Sequence, residues 1–205
     1  LKESPYFYPG TTILKNKRGL RDQKKLAVWE RLMTSKRLVQ LMESPILGHF
    51  DLLHLQRIHW YLFQDVYEWA GQLRTETISK PPTVFCLPYF LRPQAERIFA
   101  ELRSERYLTG LDAESFSDRA AYYLAEINML HPFREGNGRA QREFIRCLGL
   151  NTGYEIDWYA LDADAMLEAM IESAHRSRAK LVRMIQISLA NEKPNAELIR
   201  FYRRN

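Results

Sequence analysis

Residues 113–150, AESFSDRAAYYLAEINMLHPFREGNGRAQREFIRCLGL, carry two helical periods separated by a break. Phe116, Ala120, Tyr123, Leu124, Ile127 and Leu130 recur at three- and four-residue steps, which predicts an amphipathic helix over residues 113–130. Pro132 cannot continue it, and a residue before proline is pushed away from helical angles. His131 therefore stands at a forced chain exit, presented by a rigid element. Phe133 reads as the apolar anchor of the turn. Gly136 and Gly138 can take backbone angles closed to other residues, and Asn137 tolerates them better than most. Successive amides in such a turn point inward and form an anion-binding nest. Residues 139–150 read as a second helix, with Phe144, Ile145 and Leu148 as its apolar stripe.

The nest opens onto a helix N-terminus, where unpaired N–H groups and the helix dipole favour phosphate. Arg139 and Arg142 lie three apart on one helix face, so both can reach the same polyphosphate. A planar guanidinium suits that task because it binds phosphate oxygens in pairs. Glu135 would be repelled by bare phosphate and calls for a cation; Mg²⁺ bridged to phosphate oxygens fits.

Outward from this stretch the chain reads as helical. Asp22 is placed to cap a helix over residues 23–42, with Leu26, Trp29, Leu32, Met33 and Leu41 as its apolar side. Asp51 is placed to cap another over residues 52–68, ended by Gly71, in which Leu55, Ile58, Leu62, Phe63 and Val66 keep the helical period. Further helices are expected over 93–107, 163–173, 176–190 and 195–203. The exception is residues 75–88. Thr77 and Ile78 before Pro81-Pro82, and Thr83-Val84-Phe85-Cys86-Leu87 after it, suit a short hairpin. Two prolines do not make a tight primed turn, so its connection should exceed two residues. The expected fold class is all-α, a single domain over residues 1–205 with a short β-hairpin.

Composition bounds the function modestly. A chain of 205 residues with 46% hydrophobic content suits one domain with a sizeable core. There is no apolar run of about eighteen residues and no signal-peptide pattern, so a membrane span or classical secretion is not expected. The chain starts at Leu1, without a methionine, and reads as trimmed. Cys86 and Cys147 are too few for a disulfide scaffold and fit free thiols in a reducing compartment. A net charge of +5 without a basic tract does not suggest direct nucleic-acid binding. His54 and His59 are five apart, which is not the spacing of a helical metal pair, and His59 reads as a hydrogen-bonded core residue. Arg134 reads as solvated, and Trp60 and Trp69 as core or rim.

Residues 131–142 resemble the HPF-x-[D/E]-G-N-G-R-x-x-R motif of Fic-domain proteins at every fixed position. Tyr8-Pro9-Gly10 with Leu14-Lys15-Asn16-Lys17, Ile58-His59 with Leu62-Phe63, and Val66 to Arg74 resemble segments that flank the motif in bacterial Fic toxins and secreted Fic effectors. The resemblance covers essentially the whole chain. It implies transfer of AMP from ATP to a hydroxyl side chain of a target protein, with pyrophosphate leaving. His131 would be the general base and Glu135 the Mg²⁺ ligand. Phe133, Gly136, Asn137 and Gly138 would line the phosphate cradle, Arg139 would meet the β-phosphate and Arg142 the γ-phosphate. Kinase-like relatives carry Lys where this chain has Gly138 and reverse the nucleotide, so Gly138 implies AMP transfer. UMP or phosphocholine transfer stays open, because the motif reads phosphates and hardly the base. Residues 75–88 correspond to the flap, where Ile78, Thr83, Val84, Phe85 and Cys86 would dock the target's extended chain.

Many Fic proteins carry an inhibitory motif, [S/T]-x-x-x-E-[G/N], whose glutamate pairs with the second motif arginine. Here the only Glu followed by Gly or Asn is Glu135 itself, and Ser188 with Glu192 is followed by Lys193-Pro194. The inhibitory glutamate is therefore expected from a small antitoxin-like partner, or from a further C-terminal segment. The leading expectation is an adenylylating toxin of the bacterial cytoplasm acting on type II topoisomerases, DNA gyrase and topoisomerase IV. Alternatives are the N-terminal catalytic domain of a secreted effector that modifies host proteins such as small GTPases in the host-cell cytoplasm, and an inactive Fic-fold binding module.

Overall fold

The computed structural model describes residues 4–81 and 83–204. Its helices are α1 (Gln23–Glu43), α2 (Leu52–Phe63), α3 (Leu91–Ser104), α4 (Ala113–Leu130), α5 (Asn137–Thr152), α6 (Ala163–His175), α7 (Ala179–Ser188) and α8 (Ala196–Arg204). The strands β1 (Ser79–Lys80) and β2 (Thr83–Val84) form one antiparallel hairpin. The expected all-α class with a small hairpin is what the chain adopts.

The centre of the molecule is α4, which packs against α3, α5, α6 and α7, while α5 also packs against α2 and α8. The six apolar residues that predicted α4 are all buried, as are Phe144, Ile145 and Leu148 of α5. Aspartates start four helices: Asp22, Asp51, Asp112 and Asp162 each accept a hydrogen bond from a main-chain N–H three residues on, at 2.8–2.9 Å. A carboxylate there satisfies an orphan donor and complements the dipole. Helix α5 is different: it begins on Gly136, and among the described residues no side-chain hydrogen bond caps it.

Four expectations need correction. Helix α2 stops at Phe63 instead of running to residue 68, because the Phe63 carbonyl accepts from both Val66 and Tyr67 N–H and the chain folds back into the core. Gly71 then serves the following turn, at φ +77°, where a Cβ would lie 2.8 Å from Trp60 Cβ. Leu32, expected on the apolar side of α1, is 58% exposed, while Thr34 is buried. The α1 face toward α5 is thus partly polar. The pairing of Lys80 with Thr83 leaves only residues 81 and 82 between the strands, fewer than expected; Pro82 itself lies outside the described residues. The register is set from the far side, where Phe85 N–H donates to Ile78 O and Cys86 N–H donates to Met129 O on α4. Smaller shifts occur at α3, which spans Leu91–Ser104, and at α7, which starts at Ala179.

Candidate active site

The chain leaves α4 through His131, whose left-handed conformation (φ 45°, ψ 58°) agrees with the expected forced exit before Pro132. Several contacts hold it there. Its N–H donates to Ile127 O, Arg74 Nε donates to its carbonyl at 2.7 Å, and Phe85 stacks on its ring at 3.8 Å between centroids. Nδ1 lies 3.2 Å from Asn128 O. A carbonyl can only accept, so the proton sits on Nδ1 and Nε2 keeps its lone pair. Burial first, then the Lys80 ammonium and the Arg74 guanidinium, push the imidazole down to about 3. It is a neutral base.

Arg74 was not singled out as a site residue, and no spacing pattern marks it. Its buried guanidinium donates to the carbonyls of His131, Glu76 and Cys86, and its own N–H donates to Pro132 O. One side chain thus ties the base to both ends of the hairpin.

Beyond Pro132 the loop is braced internally. Phe133 is fully buried and stacks on His59 at 3.8 Å. Asn137 Oδ1 accepts from Phe133 N–H at 2.9 Å, and its Nδ2 donates to Phe133 O at 2.8 Å. Phe133 is therefore the anchor of the turn, with neither its ring nor its N–H free for a ligand, and the Asn137 side chain closes the loop. His59 is the hydrogen-bonded core residue expected of it. Its Nε2–H donates to Glu135 O at 2.9 Å and its Nδ1 accepts from Gly71 N–H at 2.8 Å. Burial pushes it down to about 3.

Within the Gly-Asn-Gly turn the left-handed backbone falls on Gly136 alone (φ +80°), where a Cβ would stand 2.1 Å from the Phe63 ring. Asn137 and Gly138 are already the first residues of α5, a correction to the expectation that they share the unusual angles. Gly138 matters for room: its Cβ would lie 3.4 Å from Arg142 Nη1. Glu135 Oε1 accepts from Gly136 N–H at 2.9 Å. Arg134 is half-buried, not solvated, with its guanidinium 4.7 Å from the Phe7 ring centroid.

The two motif arginines differ sharply. Arg139 pairs with Glu30 of α1 at 2.6 Å and donates to Thr34 Oγ1 at 3.1 Å. The Arg142 guanidinium has no hydrogen bond or ion pair among the described residues, and burial, then the Arg139 charge, hold its pKa below the usual arginine value. Two adjoining cavities share His131, Gly138 and Lys80. The smaller adds Glu135 and Asn137; the larger, about 890 Å³, adds Arg139 and Arg142.

Of the five hairpin residues expected to dock a target, Val84 is exposed and Ile78 and Cys86 are half-buried. Thr83 and Phe85 turn inward, Thr83 Oγ1 lying 2.5 Å from His175 Nε2 on α6. Their side chains attach the hairpin to the rest of the fold.

Residues 49–148 match the Fic/DOC family. A probable protein adenylyltransferase of Sinorhizobium fredii, y4lH, is 40% identical over 90% of this chain and 95% of its own length. The chain belongs to the Fic/DOC family. Protein adenylyltransferase VbhT of Bartonella schoenbuchensis is 42% identical over 90% of this chain, which spans 39% of that protein. Among solved structures, the VirB-translocated effector BepC of Bartonella tribocorum, with bound AMPPNP, superposes with a TM-score of 0.85 at 28% identity, covering 92% of this chain and 97% of that one.

Proposed function

We propose that this Fic/DOC protein transfers AMP from ATP to a hydroxyl side chain of a target protein and releases pyrophosphate. It is an enzyme of the protein adenylyltransferase class, as its curated relatives are named. One observation carries the reading: a neutral imidazole, an uncovered helix N-terminus and an unpaired guanidinium converge on two joined cavities. We take residues 1–205 as one Fic domain.

His131 Nε2 accepts the proton of the attacking hydroxyl, whose oxygen bonds to the α-phosphorus. The electron pair of the breaking P–O bond leaves with pyrophosphate. The N–H groups of Asn137 and Gly138 at the start of α5, next to Gly136, meet the α- and β-phosphates. Arg139 meets the β-phosphate and Arg142 the γ-phosphate. The phosphate charge offsets Lys80 and Arg74, which raises the His131 pKa toward the range where a base is effective.

Glu135 would hold Mg²⁺. One of its oxygens takes the Gly136 N–H and the other is uncommitted, which fits an ion completed by phosphate oxygens and water. Such an ion would neutralise charge developing on the phosphates. Among the described residues no group of three or more His, Cys, Asp and Glu is placed to hold a metal, and Glu135 would share the ion with the nucleotide.

The target is a protein that adds its chain to the hairpin edge at Ile78 and Val84. By resemblance to Fic toxins, the leading targets are DNA gyrase and topoisomerase IV in the bacterial cytoplasm. The likeness to Bartonella effectors favours a second reading, modification of host proteins such as small GTPases. Among the described residues no helix is long and apolar enough to cross a membrane. Inhibition is assigned to a small antitoxin whose glutamate pairs with Arg142. The larger cavity is lined by Arg142 and, among others, by Leu38 and Met42 of α1 and Met166 and Leu167 of α6, apolar groups suited to receive a helix.

The test is incubation with Mg²⁺ and ATP labelled on the α-phosphate, with gyrase, topoisomerase IV and small GTPases supplied separately. Label should pass to one class of target. Transfer from γ-labelled ATP instead would refute the orientation argued from Gly138.

A further inference from the structure

We propose that Glu30 of α1 is a positioning residue for the nucleotide, clamping Arg139 from behind so that its free edge faces the phosphates. The inference rests on the reading above, in which Arg139 meets the β-phosphate. Helix α1 lies outside the motif, and Glu30 has no sequence signal beyond interrupting an apolar period.

The clamp is built on three sides. Glu30 Oε1 accepts from Arg139 Nη2 at 2.6 Å, and Thr34 Oγ1 accepts from Arg139 Nη1 at 3.1 Å. The Phe63 ring lies under the guanidinium, 4.6 Å from centroid to carbon. The clamp residues are themselves fixed. The Tyr67 hydroxyl donates to Glu30 Oε2, and the Thr34 hydroxyl donates to Glu30 O at 2.9 Å, which aims its lone pairs at Arg139. Tyr67 is fully buried and stacks on Trp69, so its hydroxyl cannot wander. Of the five N–H groups of a guanidinium, two are committed here and three remain for a ligand.

A purely structural tie between α1 and α5 explains this arrangement poorly. Arg139 sits in the first turn of α5, where a cation opposes the helix dipole, and it faces a second cation, Arg142. A tie would be better placed almost anywhere else on the helix. For an anion site the placement is sound. Glu30 offsets the repulsion between the arginines without reaching the phosphate side, and a rigid donor loses less freedom when the ligand arrives.

The experiment compares binding of ADP and of AMP, with Mg²⁺, by calorimetry on the full chain. AMP lacks the phosphate that Arg139 meets. Glu30→Ala should weaken ADP about tenfold, equivalent to about 1.4 kcal/mol, leave AMP unchanged, and reduce AMP transfer from ATP. Should thermal melting show that Glu30→Ala is unfolded, Tyr67→Phe removes only the supporting hydroxyl and should give the same selective loss at about threefold. Equal losses on ADP and AMP would make Glu30 merely structural and overturn the inference. So would unchanged ADP binding, or tighter binding, which would make Glu30 a brake. A wild-type protein that transfers no label yet loses ADP selectively on Glu30→Ala would refute the reaction while supporting the clamp.

Discussion

The motif loop and the hairpin face the same cavities and are held in opposite ways. Residues 131–138 are pinned by buried side chains: Arg74 on the His131 carbonyl, His59 on the Glu135 carbonyl, Asn137 on both main-chain groups of Phe133. The hairpin is secured through Phe85, Cys86 and Thr83, while Ser79, Lys80 and Val84 stand exposed. Phosphate transfer needs atoms fixed to fractions of an ångström. Docking an extended chain needs an unpaired strand edge. On the proposed function, the rigid loop would carry the chemistry and the open hairpin the choice of target; the stacked pair Phe85 and His131 joins the two.

That division can be broken most forcefully at the loop. His131→Ala should lower label transfer by about 10²–10⁴-fold while nucleotide binding persists; normal transfer by this variant would remove the base assignment. Gly136→Ala adds a Cβ 2.1 Å from the Phe63 ring at a left-handed position. It should cost about 2 kcal/mol or more, lowering Tm by roughly 4–8 °C, and a melt that matches wild type would show that the loop is not rigid. Arg142→Ala should weaken ATP about 10–100-fold with no fall in Tm, because the guanidinium has no partner to lose.

Acid should weaken the fold that holds the loop. His59 and His131 are held at about 3, and His54 at about 4, against about 6.5 in an unfolded chain. Below pH 6.5 the unfolded chain binds these protons and the folded one does not. Stability is therefore full above about pH 6.5 and falls as the pH drops toward 3. His59→Gln should flatten that slope in urea titrations taken across pH, and an unchanged slope would contradict the neutral, doubly bonded imidazole. The smallest effect on the enzyme itself belongs to the hairpin. Val84→Ser should leave folding stability within about 0.5 kcal/mol of wild type and nucleotide binding unaltered, yet reduce labelling of the protein target. An equal loss in nucleotide binding would merge the two regions into one.

Much of this was legible residue by residue. The period of Phe116 to Leu130 gave the bounds of α4, and Asp22 and Asp51 announced helix starts, because caps and periodicity are local properties. His131, the glycine turn and the paired arginines were legible for the same reason: they are consecutive. Glu30, Thr34 and Arg74 were not, since each reaches the site across the fold from a segment whose local pattern does not point to it. The prolines point to a longer hairpin connection, but the anchor at Ile78 and the long-range anchor at Met129 set its register.

The sequence by itself determined the helices, the family motif and the set of groups able to grip a triphosphate, since these depend on neighbours three or four residues away. Only the tertiary structure decided how each of those groups is held. It occupied Phe133 and the Asn137 side chain with each other, paired Arg139 with a distant carboxylate, and left Arg142 unpaired. Burial and long-range hydrogen bonds distinguish residues whose local sequences look equivalent, and those quantities exist only once the chain has closed on itself.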